Sequence, residues 1–293
     1  MFLRGGSADV RVHHLVDGGT GNVLRKLEYN ATVTQRVEFA PGLFIIRVVP
    51  DNGVYEFEAG QYAVLGRKLQ EARYVGEDSD ELRGKNPEEM VKRAYSIASG
   101  SNERDYIEFY IVLVDTGELT PRLFNLQIGD RLFLGPKPAG YFTLKHVPPH
   151  KHLFMVATGT GIAPYVSMTR AHFACKTPRH FVILHGVRHT WDFGYHHELT
   201  AIDRLCDNFT YIPSITRAAG DPSWKGPVGR IPNLIESGEL DRRVSIPITP
   251  DLYDVFLCGH PDMINAVVEL LKPRGFIKDE RNLRGTIHTE EYW

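Results

Sequence analysis

The sequence predicts an antiparallel six-stranded β-barrel followed by a doubly wound parallel α/β unit. Three observations predict it. From Tyr29 to about Leu134, short runs rich in β-branched and aromatic residues recur between turn signals. After Pro148-Pro149, apolar strands alternate with helix-like stretches, the pattern of βαβ units on a parallel sheet. The 293 residues are enough for two cores. The expected division is an extension at 1–24, a barrel at 25–148, and an α/β unit with a C-terminal tail at 149–293.

Taken in order, residues 1–24 are rich in glycine and histidine with little periodicity and read as a loose extension. The six barrel strands fall in ATVTQRVEF, GLFIIRVVP, GQYAVLG, RAYSIAS, YIEFYIVLV and RLFLGP, with one short helix near Thr120–Leu126. The charged segment 67–92 has apolar residues too sparse for a core strand and reads as a partly helical surface excursion. A charged run of this kind is more often a solvated face than a partner site. In the second half, HLFMVATG, HFVILHG, NFTYIPSIT and DVFLCG are strands. Helices are expected from Ala163, in YHHELTAIDRLC, and in PDMINAVVELLK, where proline stands in the first turn.

The net charge of −2 gives no footprint for nucleic acid or an anionic membrane. No stretch approaches the roughly 18 apolar residues of a membrane span, and MFLRGGSADVRVHH lacks the apolar core of a secretory signal. Cys175, Cys206 and Cys258 are scattered and odd in number, giving neither a disulfide framework nor a Cys-x-x-Cys cluster site. A reducing interior compartment, the cytoplasm, is expected. His13-His14 and His196-His197 are adjacent pairs without i, i+4 spacing, so no metal site is expected. No nucleophile elbow or paired-carboxylate hydrolase pattern is present.

The chemistry is carried elsewhere. Ala157-Thr158-Gly159-Thr160-Gly161-Ile162-Ala163-Pro164 stands where an apolar strand gives way to a helix. Glycines there let backbone approach a pyrophosphate, and the helix start supplies free N–H groups. The spacing is not the six-position dinucleotide fingerprint, and by itself it suits a structural turn equally well. Arg188 and Arg217 follow the next two strands, and Arg230 opens RIPNLIESGEL. Arginines beyond strand ends suit a phosphate monoester, which favours NADP(H) over NAD(H). Cys258-Gly259 ends a later apolar strand, and the glycine permits close backbone approach. In the first half, Arg93-Ala94-Tyr95-Ser96 opens a strand. Read alone it is equally a strand with an inward tyrosine.

Arg-x-Tyr-Ser resembles the flavin-binding motif of the ferredoxin–NADP reductase family. The likeness continues in order through Gly60-Gln61-Tyr62, Tyr110-Ile111-Val112, Glu118-Leu119-Thr120, Ala139-Gly140-Tyr141-Phe142, the loop at Thr158, and the three arginines. It ends with Leu257-Cys258-Gly259, Pro261, Met263 and Glu290-Glu291-Tyr292-Trp293. Arg-Ala-Tyr-Ser, Gly-Arg-Ile-Pro before Leu-Ile-Glu-Ser-Gly-Glu-Leu, and the Tyr-Trp terminus are most similar to the bacterial ferredoxin/flavodoxin–NADP reductases.

The resemblance implies a flavoprotein oxidoreductase that moves hydride between NADP(H) and flavin N5 and exchanges single electrons with ferredoxin or flavodoxin. It implies FAD contacts by Arg93 (pyrophosphate), Ala94, Tyr95 (ring face), Ser96, Tyr110, Ile111, Val112, Glu118, Leu119, Thr120 and Thr158. It implies NADP contacts by Gly159, Thr160, Gly161, Arg188, Arg217, Arg230, Cys258 and Gly259. Ser96 and Glu290 would handle protons, Tyr292 would cover the flavin or the nicotinamide site, and Trp293 would stack near the FAD adenine. The long 67–92 segment and Thr143, which follows Tyr141-Phe142, depart from the bacterial pattern. An oxygenase reductase component or free flavin reductase on the same scaffold is the nearest alternative; a non-catalytic binding module is the alternative from another class.

Overall fold

The computed structural model describes residues 28–75, 84–280 and 283–291. The 1–24 extension, Tyr292 and Trp293 lie outside the described residues.

The first sheet contains β1 (Ala31–Ala40), β2 (Leu43–Pro50), β3 (Tyr62–Lys68), β4 (Met90–Ser96), β5 (Ile107–Val112) and β6 (Arg131–Leu134). They pair antiparallel in the order β4-β3-β6-β1-β2-β5. The two edges then meet: Ile97 bridges Phe109, and the Ala98 N–H donates to the Glu108 carbonyl at 2.8 Å. Closure removes the free edges. Alternation in β2 turns Phe44, Ile46 and Val48 inward, each fully buried. Helix α1 (Thr120–Phe124), with Pro121 in its first turn, adds Leu123 and Phe124 to the same core.

The charged segment is shorter than the sequence suggests. β3 runs on to Lys68 and β4 begins at Met90, with Arg67 opposite Val91 and Lys68 opposite Met90. Leu69 and Val91 are buried in the barrel core. Arg67 is buried too, its guanidinium donating to the Arg131 carbonyl and the Glu71 carboxylate. Long charged side chains with well-bonded heads can serve as strand residues, so the low apolar count concealed two hairpin arms. No helix occurs among the segment's described residues.

The second sheet is parallel: β7 (His152–Thr158), β8 (Phe181–Val187), β9 (Phe209–Ile215), β10 (Tyr253–Gly259) and β11 (Ile287–Glu291), in the order β11-β10-β7-β8-β9. α2 (Ala163–His172) and α3 (His196–Leu205) contribute to the core that faces the barrel. α4 (Ile231–Glu236), α5 (Glu239–Arg243) and α6 (Pro261–Leu271) contribute to a separate core with Val156, Leu184 and Leu257. β11 has no all-apolar run, because an edge strand is covered on fewer sides than a central parallel strand; only its Ile287 is fully buried. Strand order reverses between β7 and β10, and in open α/β sheets ligands bind at that crevice.

An ionic cluster ties the two sheets together. Glu108 of β5 accepts from Arg47 of β2 at 2.8 Å, from Arg170 of α2 at 2.6 Å and from the Tyr195 hydroxyl at 3.0 Å. Arg170 also grips Glu198 of α3 through two hydrogen bonds, at 2.8 and 2.7 Å. Burial pushes the Glu108 carboxyl upward, but Arg170 and Arg47 outweigh it and hold the group below the usual carboxylate range.

The cysteines differ from expectation. Cys175 and Cys206 are joined as a disulfide, with Cα atoms 5.1 Å apart. The loop after α2 returns beside the end of α3, bringing together residues 31 positions apart in the chain. Cysteine spacing therefore gives no ground for a reducing compartment. Cys258 is fully buried.

Candidate functional site

The crevice is built first from backbone. Thr158 ends β7, a 3-10 turn spans Gly159–Ile162, and α2 follows with Pro164 in its first turn. Gly159 has φ +55°, and a Cβ there would meet nothing within 4 Å, so its outer side is open. Gly161 has no such room: a Cβ would stand 2.5 Å from the Cys258 carbonyl oxygen. Gly259, at φ +133°, would bring a Cβ to 2.2 Å from Thr158 Oγ1. That hydroxyl oxygen accepts the His260 N–H at 2.9 Å. The ends of β7 and β10 are thus locked backbone against backbone. Cys258 is fully buried between Ala157 and Glu290 in the parallel register.

The barrel reaches this point through β4. Ser96, buried at the end of β4 opposite Tyr62, donates its hydroxyl to Glu290 Oε1 at 2.8 Å. Residues 194 positions apart are brought into contact by the meeting of a barrel strand and an α/β edge strand. Beneath them the Tyr165 hydroxyl lies within hydrogen-bond distance of the Val156 and Phe256 carbonyls, at 2.9 and 2.8 Å. Burial, reinforced by Cys258 and Glu290, keeps that phenol protonated.

Along β4, Arg93 and Ala94 are exposed and Tyr95 is half-buried against the barrel core. Arg93 reaches Glu118 Oε2 at 3.3 Å, and Lys85 holds the other oxygen at 2.8 Å. These are exposed pairs, worth at most about 1 kcal/mol and easily exchanged for a better anion. Thr120 closes its own loop, accepting from the Val114 N–H and donating to the Val114 carbonyl, both at 3.0 Å. Ile111 and Leu119 lie in the barrel core, and Val112 is exposed. Tyr110 is turned away from this surface: its hydroxyl donates to the Asp192 carbonyl at 2.9 Å and accepts the Gly194 N–H at 3.1 Å. Any ligand contact by Tyr110, Ile111 or Leu119 is left to backbone atoms.

Arg188 lies just beyond β8, and the Arg217 N–H donates to its carbonyl at 2.9 Å. The Gly229 N–H donates to Ile215 at 2.9 Å and Gly229 accepts from the Ser214 hydroxyl at 3.0 Å, docking Arg230 beside the end of β9. All three arginines are exposed and none is in an ion pair among the described residues. Asp192, the acidic residue nearest the end of β8, is occupied, its carboxylate accepting the His189 N–H at 3.0 Å. This cationic cluster beyond parallel strand ends fits a phosphate monoester.

One buried residue here was not singled out from the sequence. His185 of β8 places Nε2 2.9 Å from the Gly159 carbonyl and Nδ1 3.3 Å from the Tyr211 hydroxyl. A lone histidine inside the apolar run FVILHGV was the available signal. No group of metal-ligating side chains occurs among the described residues, and no helix among them is long and apolar enough to cross a membrane.

Residues 79–142 match the oxidoreductase FAD-binding domain family, and residues 155–269 match the oxidoreductase NAD-binding domain family. The flavodoxin/ferredoxin–NADP reductase of Escherichia coli (strain K12) is 33% identical over 265 residues, covering 89% of this chain and 97% of that protein. The protein of the same name from Buchnera aphidicola subsp. Baizongia pistaciae is 31% identical over 251 residues, covering 85% and 93%. A crystal structure of a ferredoxin NADP+ reductase from Neisseria gonorrhoeae, with bound FAD and NADP, superposes with a TM-score of 0.71. That match has 24% identity and covers 89% of this chain and 97% of the other.

Proposed function

Because this chain belongs to the ferredoxin/flavodoxin–NADP reductase family, we propose that its crevice joins an FAD site on the barrel to an NADP(H) site on the parallel sheet. The chain is an FAD-dependent NADP(H) oxidoreductase. Its one-electron partner is a ferredoxin or flavodoxin, and it works in the cytoplasm. The barrel unit ends at 148 and the α/β unit begins at 149.

The residues present fit both cofactors. Arg93, exposed on β4 and weakly paired with Glu118 of the loop before α1, is available to neutralise a pyrophosphate. Tyr95 offers a ring face next to Ser96. The open side of Gly159 and the free N–H groups at the start of the 3-10 turn and α2 suit the NADP pyrophosphate. Arg188, Arg217 and Arg230 suit its 2′-phosphate. FAD, when bound, supplies the chemistry: hydride exchange with NADP(H) and single-electron exchange with the carrier.

The protein's own work is positioning and proton handling. The Ser96–Glu290 contact is the observation that carries this reading. It sets a hydroxyl and a carboxylate in hydrogen-bond contact at the mouth of β10, beside Cys258-Gly259. A proton can pass between Ser96 Oγ and Glu290 Oε1 over 2.8 Å. Gly259 lets the end of β10 lie directly against Thr158 of β7, which holds Cys258 and Glu290 at the crevice.

Anaerobic stopped-flow reduction of the bound flavin by NADPH and by NADH tests the proposal. Fast bleaching by NADPH alone is expected. Equal rates would remove the arginines from the 2′-phosphate site, and no bleaching by either would remove hydride chemistry from the crevice.

A further inference from the structure

The structure assigns to His185 the positioning of the Gly159–Thr160 peptide, through a buried chain running from the Tyr211 hydroxyl to the His185 ring to the Gly159 carbonyl. The assignment rests on the reading of that turn as the pyrophosphate cradle.

A carbonyl oxygen can only accept, so the His185 nitrogen 2.9 Å from Gly159 must carry the hydrogen. In a neutral imidazole the other nitrogen is then bare and accepts from the Tyr211 hydroxyl at 3.3 Å. The tautomer is therefore set from both sides. His185 is 1% exposed, and Phe193 packs edge-on against the ring at 5.3 Å. Tyr211 is buried, and its backbone N–H donates to Asp203 Oδ1 at 3.0 Å. The chain starts from a fixed point on β9 and ends on the turn of the crevice, at a glycine with φ +55° and open space on its outer side.

The consequence follows from peptide planarity. In a trans peptide the carbonyl and the next residue's N–H point in opposite directions. Anchoring the Gly159 oxygen inward on His185 therefore aims the Thr160 N–H outward, to the side on which an anion would sit. A glycine without this anchor could rotate its peptide, because it has no Cβ to restrict it. The groups facing the ring from neighbouring elements are Tyr211 on β9, Phe193, Gly159 on the turn, and His196 of α3 as the other titratable group felt at the site. None is a carboxylate, and burial outweighs the Gly159 carbonyl contact, which alone of these favours a charged ring.

The test uses the FAD-loaded enzyme and two ligands, NADP+ and 2′-phospho-AMP. The second carries the 2′-phosphate but no pyrophosphate. Affinities are read from flavin difference spectra for NADP+ and by calorimetry for both. His185→Leu is expected to weaken NADP+ about tenfold, the scale of one lost hydrogen bond, and to leave 2′-phospho-AMP unchanged. His185→Gln keeps an N–H donor at the same reach and is expected to recover most of the loss. Tyr211→Phe should give an intermediate loss for NADP+ only. Equal weakening of both ligands by His185→Leu, or no recovery by His185→Gln in a folded, flavin-loaded protein, would overturn the assignment. If 2′-phospho-AMP does not bind the unaltered enzyme, the arginine site fails instead, and the comparison of His185→Leu with His185→Gln on NADP+ still decides the role of His185.

Discussion

Ser96 on a barrel strand donates its hydroxyl to the Glu290 carboxylate on the edge strand of the parallel sheet, 2.8 Å away. Neither partner is positioned by its own neighbours in sequence. Ser96 is set by the β3–β4 pairing, and Glu290 by the register that puts it opposite Cys258. The pair exists only where the two sheets meet, so loss of either group should affect chemistry more than folding.

Ser96→Ala and Glu290→Gln are each expected to slow flavin reduction by NADPH at least tenfold, within the range usual for lost proton-handling groups. If the two act as one unit, the double variant will be scarcely slower than the worse single one. Single-turnover kinetics with flavin content measured in parallel would check this. Multiplicative losses would mean that the hydroxyl and the carboxylate work independently.

The arginine cluster predicts a selective effect. Replacing Arg188, Arg217 or Arg230 by Leu removes one charged hydrogen-bond donor set, worth about 1.5–3 kcal/mol. The KM for NADPH should rise roughly ten- to a hundredfold on that scale, with kcat nearly kept and NADH kinetics unmoved. A variant that impaired both nucleotides equally would place its arginine outside the 2′-phosphate site.

Much of this was legible in the sequence, and the reasons for the rest are local. All six barrel strands and four of the five parallel strands are visible because each is a compact apolar or β-branched run. β11 is hidden because Ile287-His288-Thr289-Glu290-Glu291 is an edge strand with one core residue. The arms of the 67–92 hairpin are hidden because Arg67 and Lys68 hold strand positions through buried stems and bonded heads. The turn at Thr158 and the arginines beyond the strands stand out as residue types at strand ends. The direction in which a side chain points does not, so Tyr110 reads as a cofactor neighbour while its hydroxyl is bonded across the sheet interface. Disulfide pairing depends on where α2 and α3 end, which three scattered cysteines cannot reveal.

The Glu108 cluster sets a stability prediction. Arg170→Met leaves a buried carboxylate with Arg47 as its remaining charged partner and releases Glu198. Breaking a buried ion pair from one side costs about 3–5 kcal/mol, and the partial exposure of Arg170 places this case at the lower end. Urea unfolding should show a loss near that size, with the barrel and the parallel sheet separating into two transitions. The carboxyl lies below its usual range in the folded state, so its contribution is present above that range and is lost as pH falls through the depressed value. Acid should therefore shrink the difference between the two proteins.

Gly259 predicts a steric effect. A Cβ at this position would lie 2.2 Å from Thr158 Oγ1 and 3.0 Å from Thr158 backbone, on a φ of +133°. Gly259→Ala should both destabilise the fold, by roughly 1–3 kcal/mol for the strained backbone, and push the end of β10 away from Thr158 of β7. Thr158→Ala in the same chain removes the nearest clash. It should restore part of the stability but not all of it, because the Thr158 backbone still lies 3.0 Å from the added methyl and the φ of +133° stays strained. Full recovery of stability in the double variant would sink the claim that the backbone conformation and packing at Gly259 require glycine.

His185 predicts how the fold responds to acid. Burial, with a smaller contribution from nearby His196, lowers its pKa from 6.5 to about 4, against the opposing effect of the Gly159 hydrogen bond. Between those values the unfolded chain binds a proton that the folded chain refuses, so stability rises with pH across this window and falls as pH drops from 6.5 towards about 4. By linkage this one group removes about 2 kcal/mol between neutral pH and about pH 5. His152, His172, His180 and His196 are shifted the same way by burial and add to the slope. Chemical unfolding of the unaltered protein and of His185→Gln at both pH values separates the contributions, since the other histidines are common to the two. The glutamine variant should lose less stability on acidification, by about the stated amount. An identical loss in both proteins would show that His185 takes up its proton without disturbing the fold, which its contact with the Gly159 carbonyl and its place inside β8 do not allow.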